Sequence, residues 1–273
     1  MSVISAAERR RPAVGDALVE VLALAGRRLT HLRNVPGRLL AITLNPLITM
    51  LAIGYVFKDA VIVPGGGSYP EFLFPAALMQ VGLAGIAPTA IAVATDLNGG
   101  LTDRFRSLPI TRPAVLIGHS LGDLVVGLIA LVITVASGLL VGGRVHGDVF
   151  SLLGGFALLV VFLYAMIWVG ILLGLSLRNP EAIDGIGAVA SLGLSFLSNA
   201  FMSIELLPVW LRPVAEWNPV SSVTTAVRRL WGTPVEATGG FPTQHPGVVV
   251  AITLIVTLVV AGSLSFRKYR TIK

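Results

Sequence analysis

The 273-residue chain contains no cysteine. Disulfides, thiolate nucleophiles and cysteine-bearing zinc sites are thereby excluded. Charge is scarce too: 12% of the residues are Asp, Glu, Lys or Arg, about half of the roughly 25% found in soluble domains. The four histidines, His31, His119, His146 and His245, stand far apart and form no His-x-x-x-His pair, so their spacing points to no metal site. Gly65-Gly66-Gly67-Ser68 lacks the lysine and the following helix that let a glycine-rich loop cradle phosphates. No paired carboxylate cluster or nucleophile–base arrangement is evident. No early uninterrupted apolar core follows a basic start, so no cleavable signal peptide is expected.

What the chain has is apolar length. Hydrophobic residues make up 55% of it, and the mean hydropathy is +0.86. A spanning helix needs about 20 predominantly apolar residues. Six runs qualify, at 39–57, 72–95, 114–141, 149–177, 182–204 and 247–266. The fold class expected is therefore an all-α polytopic membrane protein. An even number of spans puts both termini on one side. With the termini inside, fifteen of the twenty Lys and Arg fall on that side, Arg144 being placed among the inner charges and Arg178 among the outer. The positive-inside rule then makes the termini cytoplasmic. The basic pI, near 10.3, reflects charges at the ends of apolar runs and points to membrane, not to nucleic acid.

Residues 13–34 read as a basic amphipathic helix with Leu18, Val21, Leu22, Ala25, Leu29 and Leu32 on one stripe, suited to the membrane interface just before a span. The outer segment 205–245 holds Trp210, Trp217 and Trp231, a residue type favoured at interfacial depth. Asn218-Pro219 is a helix start with an Asn cap and Pro in the first turn. Val220, Val223, Val227, Leu230 and Trp231 follow at helical spacing. A pair of short helices lying in or dipping into the outer leaflet is expected there.

Ionisable residues inside spans are functional candidates by default, and few exist. His119 and Asp123 are four apart on one helix face and could hydrogen-bond; Asp184 could pair with Arg178. The structural reading leads for both. Gly187, Ser191, Ser195 and Asn199 recur every four residues in the fifth span. Such a face either packs closely against another helix or walls a substrate path or dimer seam. Pro46, Pro75 and Pro88 interrupt the first two spans.

The most informative stretch lies between the second and third spans, at 96–109. Leu97, Leu101, Phe105 and Leu108 recur at helical spacing, with Asp103, Arg104 and Arg106 facing away. Asp96 or Thr102 can cap its start and Pro109 stops it. A plain hairpin needs no apolar stripe. A short helix lying on lipid headgroups does, and so does one docking on a cytoplasmic partner through a Phe-Arg anchor.

Three stretches carry a pattern. The first is His31-Leu32-Arg33-Asn34 with Pro36, running into Asn45-Pro46 and Tyr55-Val56-Phe57. The second is Tyr69-Pro70-Glu71-Phe72-Leu73 through Asp103-Arg104-Phe105-Arg106-Ser107-Leu108-Pro109-Ile110. The third is Ser198-Asn199-Ala200-Phe201 onward to Trp217-Asn218-Pro219-Val220-Ser221, with Arg228 following. Together they resemble the permease subunit of ABC-2 type transporters, in particular the daunorubicin-resistance-like drug efflux permeases. One departure is that Met202-Ser203-Ile204-Glu205 stands where the family often has a proline.

The resemblance implies a cytoplasmic tail and elbow helix at 1–38, a membrane domain at 39–266 and a basic cytoplasmic tail at 267–273. It implies outer-leaflet re-entrant helices before the last span, and a coupling helix that engages an ATPase subunit. Asp96, Leu101, Asp103, Arg104, Phe105 and Arg106 would make that contact. Two permeases, as a homodimer in lipid, would pair with two ATPase subunits that hold ATP and magnesium, this chain binding no cofactor. The expected function is export of an amphiphilic drug or lipid across the bacterial plasma membrane. The substrate path would run near the first, second and fifth spans, past Asn45, Gln80, Ser191, Ser195 and Asn199. An ion-gradient-driven secondary transporter and a polysaccharide or lipid-glycan exporter remain as alternative readings.

Overall fold

The computed structural model describes residues 37–59, 63, 66–99, 112–233, 235 and 239–271. The segment expected to be amphipathic at 13–34 and most of the 96–109 segment lie outside the described residues. Among the described residues every regular element is helical. In chain order these are α1 (Gly37–Ile48), α2 (Gly54–Val56), α3 (Tyr69–Ala84), α4 (Ile86–Asn98), α5 (Arg112–Val141), α6 (Val149–Ser176), α7 (Pro180–Phe196), α8 (Arg212–Glu216), α9 (Pro219–Leu230), α10 (Phe241–Gln244) and α11 (Pro246–Thr271).

Local chemistry sets several starts. The Asp148 carboxylate accepts from the Ser151 backbone N–H at 3.1 Å and caps α6. Bonding to Ser151, by its side chain first and its backbone N–H next, holds the Asp148 carboxyl below the ordinary aspartate range. Asn179 caps α7 by accepting from the Glu181 N–H at 2.9 Å, with Pro180 next. Asn218 caps α9 in the same way, accepting from the Val220 N–H at 2.9 Å with Pro219 following, as the sequence predicts.

Among the described residues, four helices are long and apolar enough to cross a membrane: Tyr69–Asn98 (α3 and α4 together), Val115–Val141, Val149–Ser176 and Pro246–Thr271. The first and fifth expected spans are shorter or irregular, for identifiable reasons. In the first, Pro46 lacks a backbone donor. Three residues later the chain passes into a π-helical segment, Thr49–Ile53, before the single turn of α2. In the fifth, α7 stops at Phe196, because the Asn218 amide donates to the carbonyls of Leu194 at 2.8 Å and Leu197 at 2.6 Å. Its 17 residues rise only about 26 Å, against a hydrocarbon core of about 30 Å.

α6 occupies the centre and packs against α3, α4, α5, α9 and α11. Small residues let the helices approach. A Cβ at Gly170 would come within 2.7 Å of the Ile86 carbonyl oxygen, and one at Gly174 would overlap that of Ala90. At one end of the bundle the His146 N–H donates to the Trp231 carbonyl at 2.9 Å. At the other, the Asn98 amide donates to the Arg178 carbonyl at 2.8 Å and Lys268 Nζ to Ser176 Oγ at 2.7 Å. Arg144 therefore lies at the Trp231 end and Arg178 at the Asn98 end, the reverse of the placement expected from sequence. Each carries one charge, so the inner–outer tally is unchanged.

Trp231 corrects a second expectation. Trp210 and Trp217 are exposed, but Trp231 is fully buried. It packs on Phe74 and Phe156 with ring centroids 5.6 and 5.0 Å away, and its Nε1 donates to the Leu152 carbonyl at 3.3 Å. It belongs to the core and not to an interfacial belt.

Candidate functional site

Among the described residues, two polar assemblies inside this apolar bundle join three or more side chains or backbone carbonyls each. The first joins the irregular first helix to α3. Gln80, 3% exposed, offers Oε1 to Asn45 Nδ2 and to Thr49 Oγ1, both at 3.3 Å. Its Nε2 is buried with no hydrogen-bond partner among the described residues. Thr49 opens the π-helical segment, and π-bulges occur frequently at functional sites. Asn45 itself is exposed on the outer face of α1, between the exposed Leu44 and Ile48. The cluster thus runs from the bundle surface to a buried amide with a donor to spare. One helical turn further along α3, Ser191 Oγ of α7 donates to the Leu83 carbonyl at 3.2 Å.

Of the expected path residues, Asn45 and Gln80 meet directly, and Ser191 reaches the same stretch of α3. Ser195 is buried, its carbonyl accepting from Ser198 Oγ at 2.6 Å. Asn199 does not continue the helical face expected at 187–199, since α7 has already ended. Its Nδ2 donates to Thr225 Oγ1 at 2.7 Å and its N–H donates to Ser221 Oγ at 3.1 Å, both on α9.

The second assembly centres on Arg228, which is 1% exposed. Its guanidinium donates to the carbonyls of Phe72 at 3.0 Å, Asn199 at 2.8 Å and Ala200 at 3.0 Å, and lies 3.5 Å over the Phe72 ring. It ties α9 to the start of α3 and to the turn after α7. Sequence reasoning left it among the outer charges. The signal was its place eight residues after Val220, on the apolar stripe that Val220, Val223 and Val227 bury. Thr49 was also missed; the signal was its place four residues after Asn45, on the same helix face.

The expected His119–Asp123 hydrogen bond is replaced by two links from α5 to α4. His119 Nε2 lies 2.7 Å from Asp96 Oδ2, and Thr89 Oγ1 donates to the buried Asp123 Oδ2 at 2.7 Å. The two residues share a face of α5, but α4 presents a partner to each before they turn to one another. Nor do Asp184 and Arg178 pair: Asp184 is exposed, and the carboxylate contacts of this kind between described residues are His119–Asp96 at 2.7 Å and His146–Glu71 at 3.4 Å, each an ion pair when the histidine is protonated. Asp96 is thus the one expected coupling residue inside the described region. Leu101, Asp103, Arg104, Phe105 and Arg106 lie outside the described residues.

An apolar wall with a few buried amides and hydroxyls offers hydrogen bonds in otherwise apolar surroundings. Comparison with known proteins supplies the family. Residues 19–231 match the family described as "ABC-2 type transporter". The chain is 33% identical over 269 residues, 98% of its own length and 92% of the relative's, to the daunorubicin resistance ABC transporter permease protein DrrB1 of Streptomyces coeruleorubidus. It is also 21% identical over 183 residues, 67% of its length and 66% of the relative's, to the "Probable doxorubicin resistance ABC transporter permease protein DrrC" of Mycobacterium tuberculosis.

Proposed function

This chain belongs to the ABC-2 type transporter family, and from that premise we propose that it is the permease subunit of an exporter. Its cargo is an amphiphilic small molecule, such as a drug, or a lipid, moved outward across the bacterial plasma membrane. A separate ATPase subunit supplies the energy and holds ATP and magnesium. The observation that carries this reading is similarity to a drug-resistance permease over 98% of the chain. The amide cluster of Asn45, Thr49 and Gln80 adds polar groups suited to such a cargo.

Residues 39–266 form the membrane domain, crossing six times with both termini cytoplasmic. α1 through α2 and the short α7 count as crossings beside the four long ones, and the tails at 1–38 and 267–273 lie inside. Two copies pair in lipid, with the cargo passing near Asn45, Gln80, Ser191, Ser195 and Asn199. Closure of the ATPase dimer reaches the spans through the 96–109 segment, an instance of coupling between two sites by one moving element. Asp96 couples that segment to α5 through His119.

The test joins two measurements. A P-loop ATPase encoded beside this gene should copurify with the chain. Replacing Phe105→Ala and Arg106→Ala together should abolish export while leaving membrane insertion intact. Normal export in the double variant overturns the coupling assignment.

A further inference from the structure

Arg228 and Arg229 are neighbours on α9 with opposite surroundings. Arg228 is enclosed by the bundle, whereas Arg229 is exposed. Arg229 donates to the carbonyls of Gln244 at 2.9 Å and Thr243 at 2.5 Å. A guanidinium has five N–H donors, so these two bonds fix its position and leave most of its donors for something else. Beside it opens a groove of about 610 Å³ between α6, α9 and α11. Its walls are apolar, with Leu158 and Val161 from α6 and Leu254, Ile255 and Leu258 from α11.

The polar side chains of this lining, Arg229, Gln244 and His245, all stand at one end, and no carboxylate is among the described residues that line it. From His245 to Leu258 the groove follows α11 for about 20 Å, more than the roughly 15 Å of one leaflet's hydrocarbon. One side is open, with Val248 and Ile255 more than half exposed. A cationic rim above a leaflet-deep apolar trough is the complement of an anion carrying a long chain.

We propose that the groove binds one anionic phospholipid of the outer leaflet, its phosphate at Arg229 and an acyl chain along α11. In lipid, one apolar surface is exchanged for another, so apolar contact gives little selectivity between lipids. The phosphate makes charge-assisted bonds to Arg229, and selectivity for an anionic lipid comes from the headgroup cation that a zwitterionic lipid would bring beside that guanidinium, where no carboxylate among the described lining residues receives it. The site rests on the membrane-spanning reading above but not on the cargo or on the ATPase.

The experiment is native mass spectrometry of the full chain in detergent, titrated in parallel with phosphatidylglycerol and phosphatidylcholine. One phosphatidylglycerol per chain is expected to be retained under activation that strips phosphatidylcholine. Arg229→Gln should weaken phosphatidylglycerol retention at least about tenfold, and Arg229→Lys should keep the preference. Ala251→Phe puts a ring into the groove from an exposed position and should lower binding of both lipids. Equal retention of the two lipids by the wild type, or phosphatidylglycerol retention unchanged by Arg229→Gln or by Ala251→Phe, overturns the site. Loss of ATPase copurification or of export leaves this readout untouched, so the two readings fail separately.

Discussion

The guanidinium of Arg228 donates to the main-chain oxygen of Asn199 at 2.8 Å, across 29 residues of sequence. With the Phe72 and Ala200 carbonyls on the same group, one buried side chain satisfies backbone oxygens at a helix start and in a turn that no helix completes. A buried carbonyl left without a donor costs about 1–3 kcal/mol. Phe72 lies inside α3, where its carbonyl also faces the Ala76 N–H of the helix ladder, so Arg228→Leu strands the Asn199 and Ala200 carbonyls, and a loss of more than about 2 kcal/mol is expected. Arg228→Lys should fall between, since one ammonium lacks the planar fork that reaches three directions. Unfolding in detergent measures both; a wild-type midpoint for Arg228→Leu would show that the tie carries no stability.

Gly174 and Gly185 make a matched pair. A Cβ at Gly174 overlaps the Ala90 carbonyl, whereas at Gly185 it meets nothing within 4 Å. Gly174→Ala must push α4 from α6 and should cost about 1–3 kcal/mol. Gly185→Ala should be neutral or slightly stabilising, because alanine favours helix over glycine. Thermal unfolding of the two variants decides it, and equal midpoints would mean the α4–α6 crossing yields without penalty.

Gln80 is the shared acceptor of Asn45 and Thr49 and keeps a buried donor unused among the described residues. If that donor meets cargo, Gln80→Leu should raise the half-saturating cargo concentration about fivefold, the weight of one neutral hydrogen bond. Assembly with the ATPase should be unaffected. Unchanged transport kinetics in a properly inserted variant would remove Gln80 from the path.

Asp148 gives the chain a local acid sensitivity. Bonding to Ser151, by its side chain foremost and its backbone N–H next, holds the Asp148 carboxyl below the ordinary aspartate value. A lowered carboxyl pKa stabilises the folded state fully above the unfolded-state pKa, and that contribution is lost as pH falls through the folded one. Asp148→Asn caps the helix without titrating. Its thermal midpoint should fall less than the wild type's below the ordinary aspartate pKa, while the two track each other near neutrality. Parallel decline at acid pH would assign the sensitivity to other groups.

Helix identity was largely legible because lipid imposes it. An apolar run of membrane length leaves its backbone no solvent to bond, so it must be helical. The long spans at 72–95, 114–141, 149–177 and 247–266 all correspond to long helices. The Asn218-Pro219 start was equally readable, since a cap acts within three residues. The partners of buried polar groups were not. His119 and Asp123 share a face, but whether they meet depends on what α4 presents, and it presents Asp96 and Thr89. The four-residue repeat from Gly187 to Asn199 fits a helix equally well whether or not the helix continues. Asn218, on another element, ends it by taking the carbonyls.

Sequence alone determined that this is an all-helical chain built for a membrane and patterned like an ABC-2 permease, because hydropathy, capping and motif spacing are properties of neighbouring residues. Tertiary structure decided that Arg228 and Trp231 are core, that Gln80 gathers Asn45 and Thr49, and that Arg229 stands at the mouth of an apolar groove. Each of those outcomes depends on which distant backbone carbonyl or helix face arrives opposite the side chain, and only packing of the whole bundle settles that.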